Sequence, residues 1–159
     1  LGYYHFDGTW ETYNAFIQQY TPVCQVLKDN GKYFMYHNHN REFQKLDSKI
    51  ILGRMAEDMP ADLMGFTVDT FWVQYGGCDP AQWIADLAGR VPCIHLKDID
   101  FDHKMTPVGA GNLNWERIFK AAEASGTEYM LVEQDDCYDV DPFECMRRSY
   151  DFLAANGFR

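Results

Sequence analysis

Apolar side chains follow two kinds of spacing along the chain. Over residues 10–30 they recur every three or four positions, which predicts an amphipathic helix. Proline, glycine and capping residues delimit four more predicted helices, over residues 50–59, 79–88, 114–125 and 141–156. Short apolar runs between the helices predict four strands, over residues 33–36, 66–68, 91–96 and 129–132. The chain therefore alternates helix and strand four times and closes with a helix.

Such alternation is typical of an α/β fold with a parallel sheet and right-handed crossovers. The predicted strands are apolar along their length, so we expect them to be buried on both faces. No GxGxxG motif follows the first strand, which argues against a dinucleotide-binding fold. A complete (β/α)8 barrel needs about 250 residues. Four strand–helix units in 159 residues therefore predict one domain, over residues 1–159, that is half of such a barrel.

Composition narrows the class of protein. Apolar residues make up 47% and charged residues 24%, which excludes a disordered chain. The net charge of −10 argues against a nucleic-acid or membrane-surface partner, because such binding depends on cationic side chains. The five cysteines form no CxxC pair, so we expect buried free thiols. With no apolar run of about 18 residues to span a membrane, we expect a cytoplasmic protein.

A side chain able to bind a metal lies at the end of every predicted strand. These four residues are His37, Asp69, His95 and Glu133. Parallel strands end on the same side of a sheet and lie about 4.8 Å apart, so the four side chains can converge on one ion. Two imidazoles and two carboxylates suit Mn²⁺, Zn²⁺, Fe²⁺ or Co²⁺ better than Ca²⁺. Each residue alone is weak evidence, since a lone histidine at a strand end is more often a hydrogen-bonded structural residue and Asp69 could cap the next turn.

Six motifs occur in order along the chain: YHNHNREF at 36–43, VDTFW at 68–72, GCDP at 77–80, GRV to HLKD at 89–98, VGAGNLNW at 108–115 and VEQD at 132–135. Together they resemble the sugar phosphate isomerase/epimerase family with the xylose isomerase-like TIM barrel. The resemblance covers essentially the whole chain and matches strands five to eight, so it implies a C-terminal half of that barrel. It also implies a divalent metal cofactor, Mn²⁺ first, with Zn²⁺, Co²⁺, Fe²⁺ or Mg²⁺ as alternatives.

The resemblance assigns roles to the strand-end residues. Asp69, His95 and Glu133 match the family's Asp, His and Glu ligands, and His37 stands where the family commonly has a glutamate ligand. His39 falls where related proteins place a second polar group near the substrate. The replacement of the family's glutamate by His37 puts the charge and the acid–base role of the first ligand in question.

The implied chemistry is removal of a proton next to a carbonyl group. A metal bound to the carbonyl and the adjacent hydroxyl would stabilise the enediolate, while Glu133 acts as base and His39 relays the proton. We predict that Lys97 and Asp98 bind substrate hydroxyls and that Trp72 stacks on the sugar. The structural alternative for Lys97 and Asp98 is a salt-bridged loop. The alternative for Trp72 is a partly buried aromatic side chain at the rim.

We therefore expect a metal-dependent sugar isomerase or epimerase acting on a small polyhydroxylated carbonyl compound. The alternatives are a dehydratase or lyase of the inosose, dehydroshikimate or 3-keto-glycoside type, a DNA-repair endonuclease, which the net charge disfavours, and a non-catalytic carbohydrate-binding module. Four strands leave two unpaired sheet edges and an apolar inner face, so we also expect the chain to form a homo-oligomer.

Overall fold

The computed structural model of the protein describes residues 4–158. The strands are β1 (Phe34–His37), β2 (Lys45–Leu46), β3 (Lys49–Ile50), β4 (Met64–Asp69), β5 (Cys93–Leu96), β6 (Asp98–Ile99), β7 (Met105–Thr106) and β8 (Tyr129–Val132). The helices are α1 (Trp10–Asp29), α2 (Ile51–Asp58), α3 (Thr70–Tyr75), α4 (Pro80–Asp86), α5 (Trp115–Ser125) and α6 (Pro142–Ala155). A 3₁₀ turn spans Arg41–Phe43.

The main sheet has four parallel strands in the order β1-β4-β5-β8. These are the four strands that the sequence predicts, and the helices between them make the predicted partial (β/α) barrel. The short β2–β3 and β6–β7 pairs are antiparallel hairpins that the sequence analysis missed. Their strands have only two residues each, which is too short for an alternating pattern to be visible.

Helix ends follow the predicted capping residues. Asn114 accepts a hydrogen bond from the Arg117 amide at the start of α5, and Asp141 accepts hydrogen bonds from two amides at the start of α6. Gly126 ends α5 with a φ of 74°, a left-handed conformation that favours glycine. Helix α3 was not predicted, because it begins directly after β4 with no intervening loop and spans only six residues.

Burial differs between the central and the outer strands. All six residues of β4 are buried, as predicted for a strand covered on both faces. Strand β8 is not, since Tyr129 and Leu131 are 61% and 51% exposed. Tyr129 is paired with Cys93, and Leu131 with His95, so these exposed side chains lie on the sheet face that also carries His95. The prediction that every strand is buried on both faces is therefore wrong for both edge strands, β8 and β1, since Met35 of β1 is also 42% exposed.

The five cysteines carry free thiols, of which those of Cys24, Cys93 and Cys145 are buried. The free thiols agree with the expectation from their spacing, but the expected burial is wrong for Cys78 and Cys137, which are partly exposed. Among residues 4–158, no helix is both long enough and apolar enough to cross a lipid bilayer.

A buried carboxylate organises the loop between β7 and α5. Asp98 is fully buried and accepts hydrogen bonds from the amides of Gly109 (2.9 Å), Gly111 (3.1 Å) and Leu113 (3.2 Å) and from the indole nitrogen of Trp115 (2.7 Å). A Cβ atom at Gly111 would lie 2.4 Å from the Asp98 carboxylate, so only glycine allows this approach. The glycine-rich loop is thus wrapped around an internal anion.

Replacing this anion should destabilise the fold. We expect Asp98→Ala to lower the free energy of unfolding by about 3 kcal/mol, because several buried donors lose a charged acceptor at once. The measurement is chemical denaturation of the full chain. Asp102→Ala, at an exposed position on the same hairpin, is the control and should stay within about 0.5 kcal/mol of the parent. Equal stabilities for the two variants would contradict the anchoring role.

Candidate metal centre

The four predicted strand-end side chains meet at one end of the sheet. His37 ends β1, Asp69 ends β4, His95 lies in β5, and Glu133 directly follows β8. One potential ligand atom from each lies within 4.8 Å of the corresponding atoms of the other three. The convergence expected from the parallel topology is therefore present in the structure.

The separations between these atoms fit a single divalent cation. His37 Nε2 lies 3.1 Å from Asp69 Oδ2, and His95 Nδ1 lies 2.8 Å from Glu133 Oε2 and 3.9 Å from Asp69 Oδ2. Donors about 2.1 Å from an ion are about 3.0 Å apart when they are at right angles and about 4.2 Å apart when they are opposite. The four side chains could hold a cation with little rearrangement.

Strand pairing and backbone hydrogen bonds orient the central carboxylate. Asp69 is paired with His95 across β4 and β5, and its amide donates to Asn38 Oδ1 (3.0 Å). Asp69 Oδ1 accepts from the Trp72 amide (3.1 Å) and caps α3, which leaves Oδ2 to face His37. Asp69 is fully buried, so its position is defined by the fold on every side.

A lysine ammonium also lies among these carboxylates. Lys97 Nζ is 3.1 Å from Asp69 Oδ2, 2.7 Å from Glu133 Oε2 and 2.6 Å from Asp135 Oδ2, and only 1% of its side chain is exposed. Burial lowers the pKa of the Lys97 amine, but the carboxylates, Asp69 first, outweigh it and leave the pKa raised. The amine therefore remains a cation.

The protonation states of the other groups suit metal binding. Burial, together with the neighbouring His37, lowers the pKa of His95, so its imidazole is neutral near pH 7. Its Nδ1 donates a hydrogen bond to Glu133 Oε2 (2.8 Å) and can offer a lone pair to a metal once that proton is lost from Nδ1. Partial burial raises the pKa of Glu133, but the Lys97 ammonium outweighs it and holds that pKa below its usual range. Glu133 is therefore ionised.

His39 lies beside the cluster and is held by a buried acid. Its ring centre is 4.8 Å from that of His37 and 5.4 Å from that of Trp72. Its amide donates to Glu42 Oε2 (2.8 Å), and Glu42 Oε1 accepts from the Tyr36 hydroxyl (2.5 Å). Burial lowers the pKa of His39 and raises that of Glu42. The predicted proton relay residue is thus next to the candidate metal ligands.

Of the three predicted substrate-binding residues, two lie at the centre and one does not. Lys97 touches the carboxylates, and Trp72 packs beside His39 with a buried indole nitrogen that has no hydrogen-bond partner among residues 4–158. Asp98 is fully buried beneath the glycine-rich loop, and its oxygens are taken by backbone amides and Trp115. The structure therefore gives Asp98 a structural position in place of the predicted substrate contact.

Two residues at the centre were missed by the sequence analysis. Asp135 pairs with Lys97, and Asn38 joins the ends of β1 and β4 through the Asp69 backbone. Asp135 stands two positions after Glu133, and an extended chain places alternate residues on the same side, so period-two spacing could have identified it. Asn38 has no comparable signal, because an amide next to a strand end is common in turns.

Comparisons with known proteins agree with this geometry. The chain matches the family described as xylose isomerase-like TIM barrel over residues 2–155 and belongs to that family. It is 29% identical to an inosose dehydratase from Geobacillus kaustophilus over 96 residues, which are 60% of the chain and 30% of that protein. It is 25% identical to an inosose dehydratase from Clostridium beijerinckii, covering 96% of the chain and 56% of that protein.

Solved structures show the same relationship. A sugar phosphate isomerase/epimerase from Parabacteroides distasonis superposes with a TM-score of 0.79 and is 25% identical, covering 94% of the chain and 55% of that structure. The chain thus spans little more than half the length of relatives that it matches almost throughout. The predicted family and fold are confirmed.

Metal binding should depend on the two carboxylates. We expect Asp69→Asn and Glu133→Gln each to weaken Mn²⁺ binding at least tenfold, because each removes a charged ligand, while Asp69→Asn keeps the oxygen that caps α3. Equilibrium dialysis with elemental analysis gives the bound metal. The control is Asp136→Asn, which removes an exposed charge nearby. Full occupancy in either ligand variant would remove that residue from the site.

Proposed function

We propose that the protein is a divalent-metal-dependent isomerase or epimerase that removes a proton next to the carbonyl of a small polyhydroxylated compound. The observation that carries this proposal is the convergence of two imidazoles and two carboxylates at the carboxyl end of the sheet. Family membership and the match to a sugar phosphate isomerase/epimerase support it. Mn²⁺ is our first choice of metal, since the donor set mixes nitrogen with hard oxygen ligands.

A metal held by His37, Asp69, His95 and Glu133 would supply Lewis-acid stabilisation of the charge that develops on the substrate oxygens. The protein itself must move the proton. The contacts described for the Glu133 carboxylate to His95 and Lys97 are made through Oε2, so Oε1 is the oxygen that we assign as the base. The Glu133 carboxylate is ionised and so can accept a proton near neutral pH, while the neighbouring Lys97 ammonium lowers its basicity.

The second proton transfer is assigned to His39. Its imidazole is neutral near pH 7, because burial lowers its pKa, and it lies beside His37 and Trp72 on the β1 side of the centre. Glu133 follows β8 at the opposite edge of the sheet. Glu133 and His39 therefore lie towards opposite edges of the sheet, so each can exchange a proton with a different carbon of a substrate bound between them. We assign Trp72 to stack on the substrate. We give Lys97 no substrate contact, because its side chain is buried and its ammonium is held by three carboxylates.

A dehydratase is the second candidate, and two observations favour it. The residue at the first ligand position is His37, so the centre has a single carboxylate base where a symmetric epimerase would use a pair. Both curated relatives compared above are inosose dehydratases. In this reaction the same proton is removed and a neighbouring C–O bond breaks. The proton taken up by Glu133 is passed through the neutral imidazole of His39 to the leaving hydroxyl, which departs as water.

Product analysis distinguishes the candidates. We expect turnover of a ketose or inosose by the full chain to stop after exhaustive chelation and to return with Mn²⁺ or Co²⁺. In D₂O, an isomerase or epimerase gives a product of the same composition with deuterium at the carbon next to the carbonyl. A dehydratase gives a product that has lost one water, and mass spectrometry detects the difference. Undiminished turnover in the chelated, metal-free protein would contradict the proposal.

A further inference from the structure

Lys97 shares its contact atoms with the candidate metal ligands. Its ammonium lies 3.1 Å from Asp69 Oδ2 and 2.7 Å from Glu133 Oε2, the same oxygens that approach His37 and His95. These two oxygens therefore face two possible cations, the lysine ammonium and a divalent metal. Lys97 therefore forms salt bridges with the candidate ligand atoms themselves, whereas a residue that only lines the site would not.

The fold keeps Lys97 in this place. Thr70 Oγ1 accepts a hydrogen bond from the Lys97 amide (3.0 Å) and donates one to its carbonyl oxygen (2.7 Å), so the lysine backbone is fixed on both sides. Thr70 is fully buried at the start of α3, next to Asp69. The junction of β4 and α3 therefore positions both the Lys97 side chain and Asp69.

Asp135 gives the ammonium a contact that does not depend on the candidate ligands. Its Oδ2 is 2.6 Å from Lys97 Nζ, and 49% of its side chain is exposed, so it lies at the solvent side of the cluster. Asp135 is not among the four residues whose ligand atoms converge. A cation arriving at Asp69 and Glu133 would leave the Lys97–Asp135 pair in place.

We propose that Lys97 is a built-in competitor of the metal. Its ammonium neutralises Asp69 and Glu133 in the metal-free protein, weakens the binding of a divalent cation through repulsion, and is retained by Asp135 when the cation takes the shared oxygens. This inference rests on the metal-dependent function proposed above. If Lys97 instead served to hold the carboxylates in position for the metal, its removal would have the opposite effect on affinity.

The test is calorimetric titration of the full chain with Co²⁺ after chelator treatment, compared with Lys97→Met. Methionine keeps much of the buried volume and removes the charge. We expect the affinity for Co²⁺ to rise at least tenfold, which corresponds to about 1.4 kcal/mol. The control is Lys120→Met, which removes the same charge from a lysine exposed on α5 and should change the affinity less than twofold.

A second variant, Asp135→Asn, should change the affinity for Co²⁺ in the opposite direction. Asp135→Asn leaves the ammonium with only Asp69 and Glu133, so we expect Co²⁺ binding to weaken at least fivefold, more than in Asp136→Asn, which removes a neighbouring charge. In a Lys97→Met background, Asp135→Asn should weaken binding no more than Asp136→Asn does. If thermal melting shows that Lys97→Met does not fold, the comparison of Asp135→Asn with Asp136→Asn decides.

The outcomes separate the two proposals. Binding by the parent chain, with equal or weaker affinity in folded Lys97→Met, would overturn the competitor role and leave the proposed function standing. The competitor role would also be overturned if Asp135→Asn bound Co²⁺ no more weakly than its control, Asp136→Asn. A parent chain that binds neither Co²⁺ nor Mn²⁺ would overturn the metal-dependent function, and the inference would fall with it.

Discussion

The parallel alignment of four strands is the constraint on which the candidate site depends. Because β1, β4, β5 and β8 run in the same direction, the residues that end them lie at one level. The pairing of Asp69 with His95 brings an acid and an imidazole side by side without any special loop. A slip of one residue in this pairing would turn one of the two side chains to the opposite face of the sheet. The chemistry is therefore a consequence of strand register.

Charge balance is the second element of the account. Asp69 is fully buried beside the imidazoles of His37 and His95, and a buried carboxylate is costly unless a cation or several donors compensate it. In this structure Lys97 is the compensating cation. The carboxylate of Asp98, only one residue further on, is compensated differently, by the amides of the glycine-rich loop and the indole of Trp115. Lys97 and Asp98 are adjacent in one motif, but Lys97 contacts the candidate site whereas Asp98 stabilises the fold.

The different roles of Lys97 and Asp98 show which features could be predicted from the sequence and which could not. The four main strands and the four candidate ligands were predictable, since both follow from period and from position at strand ends. The role of Asp98 was not, because its donors come from a loop more than ten residues away. Exposure of Tyr129 and Leu131 was also missed, since an apolar run does not reveal which strand lies at the edge. Hairpins of two-residue strands carry no periodic signal.

Anomalous diffraction from crystals of the protein grown with Mn²⁺ tests the central claim most directly. The account predicts one strong anomalous peak within about 2.5 Å of His37 Nε2, Asp69 Oδ2, His95 Nδ1 and Glu133 Oε2, with Lys97 still in contact with Asp135. A peak elsewhere, or no peak at saturating Mn²⁺ with the Lys97 ammonium still between the two carboxylates, would contradict it.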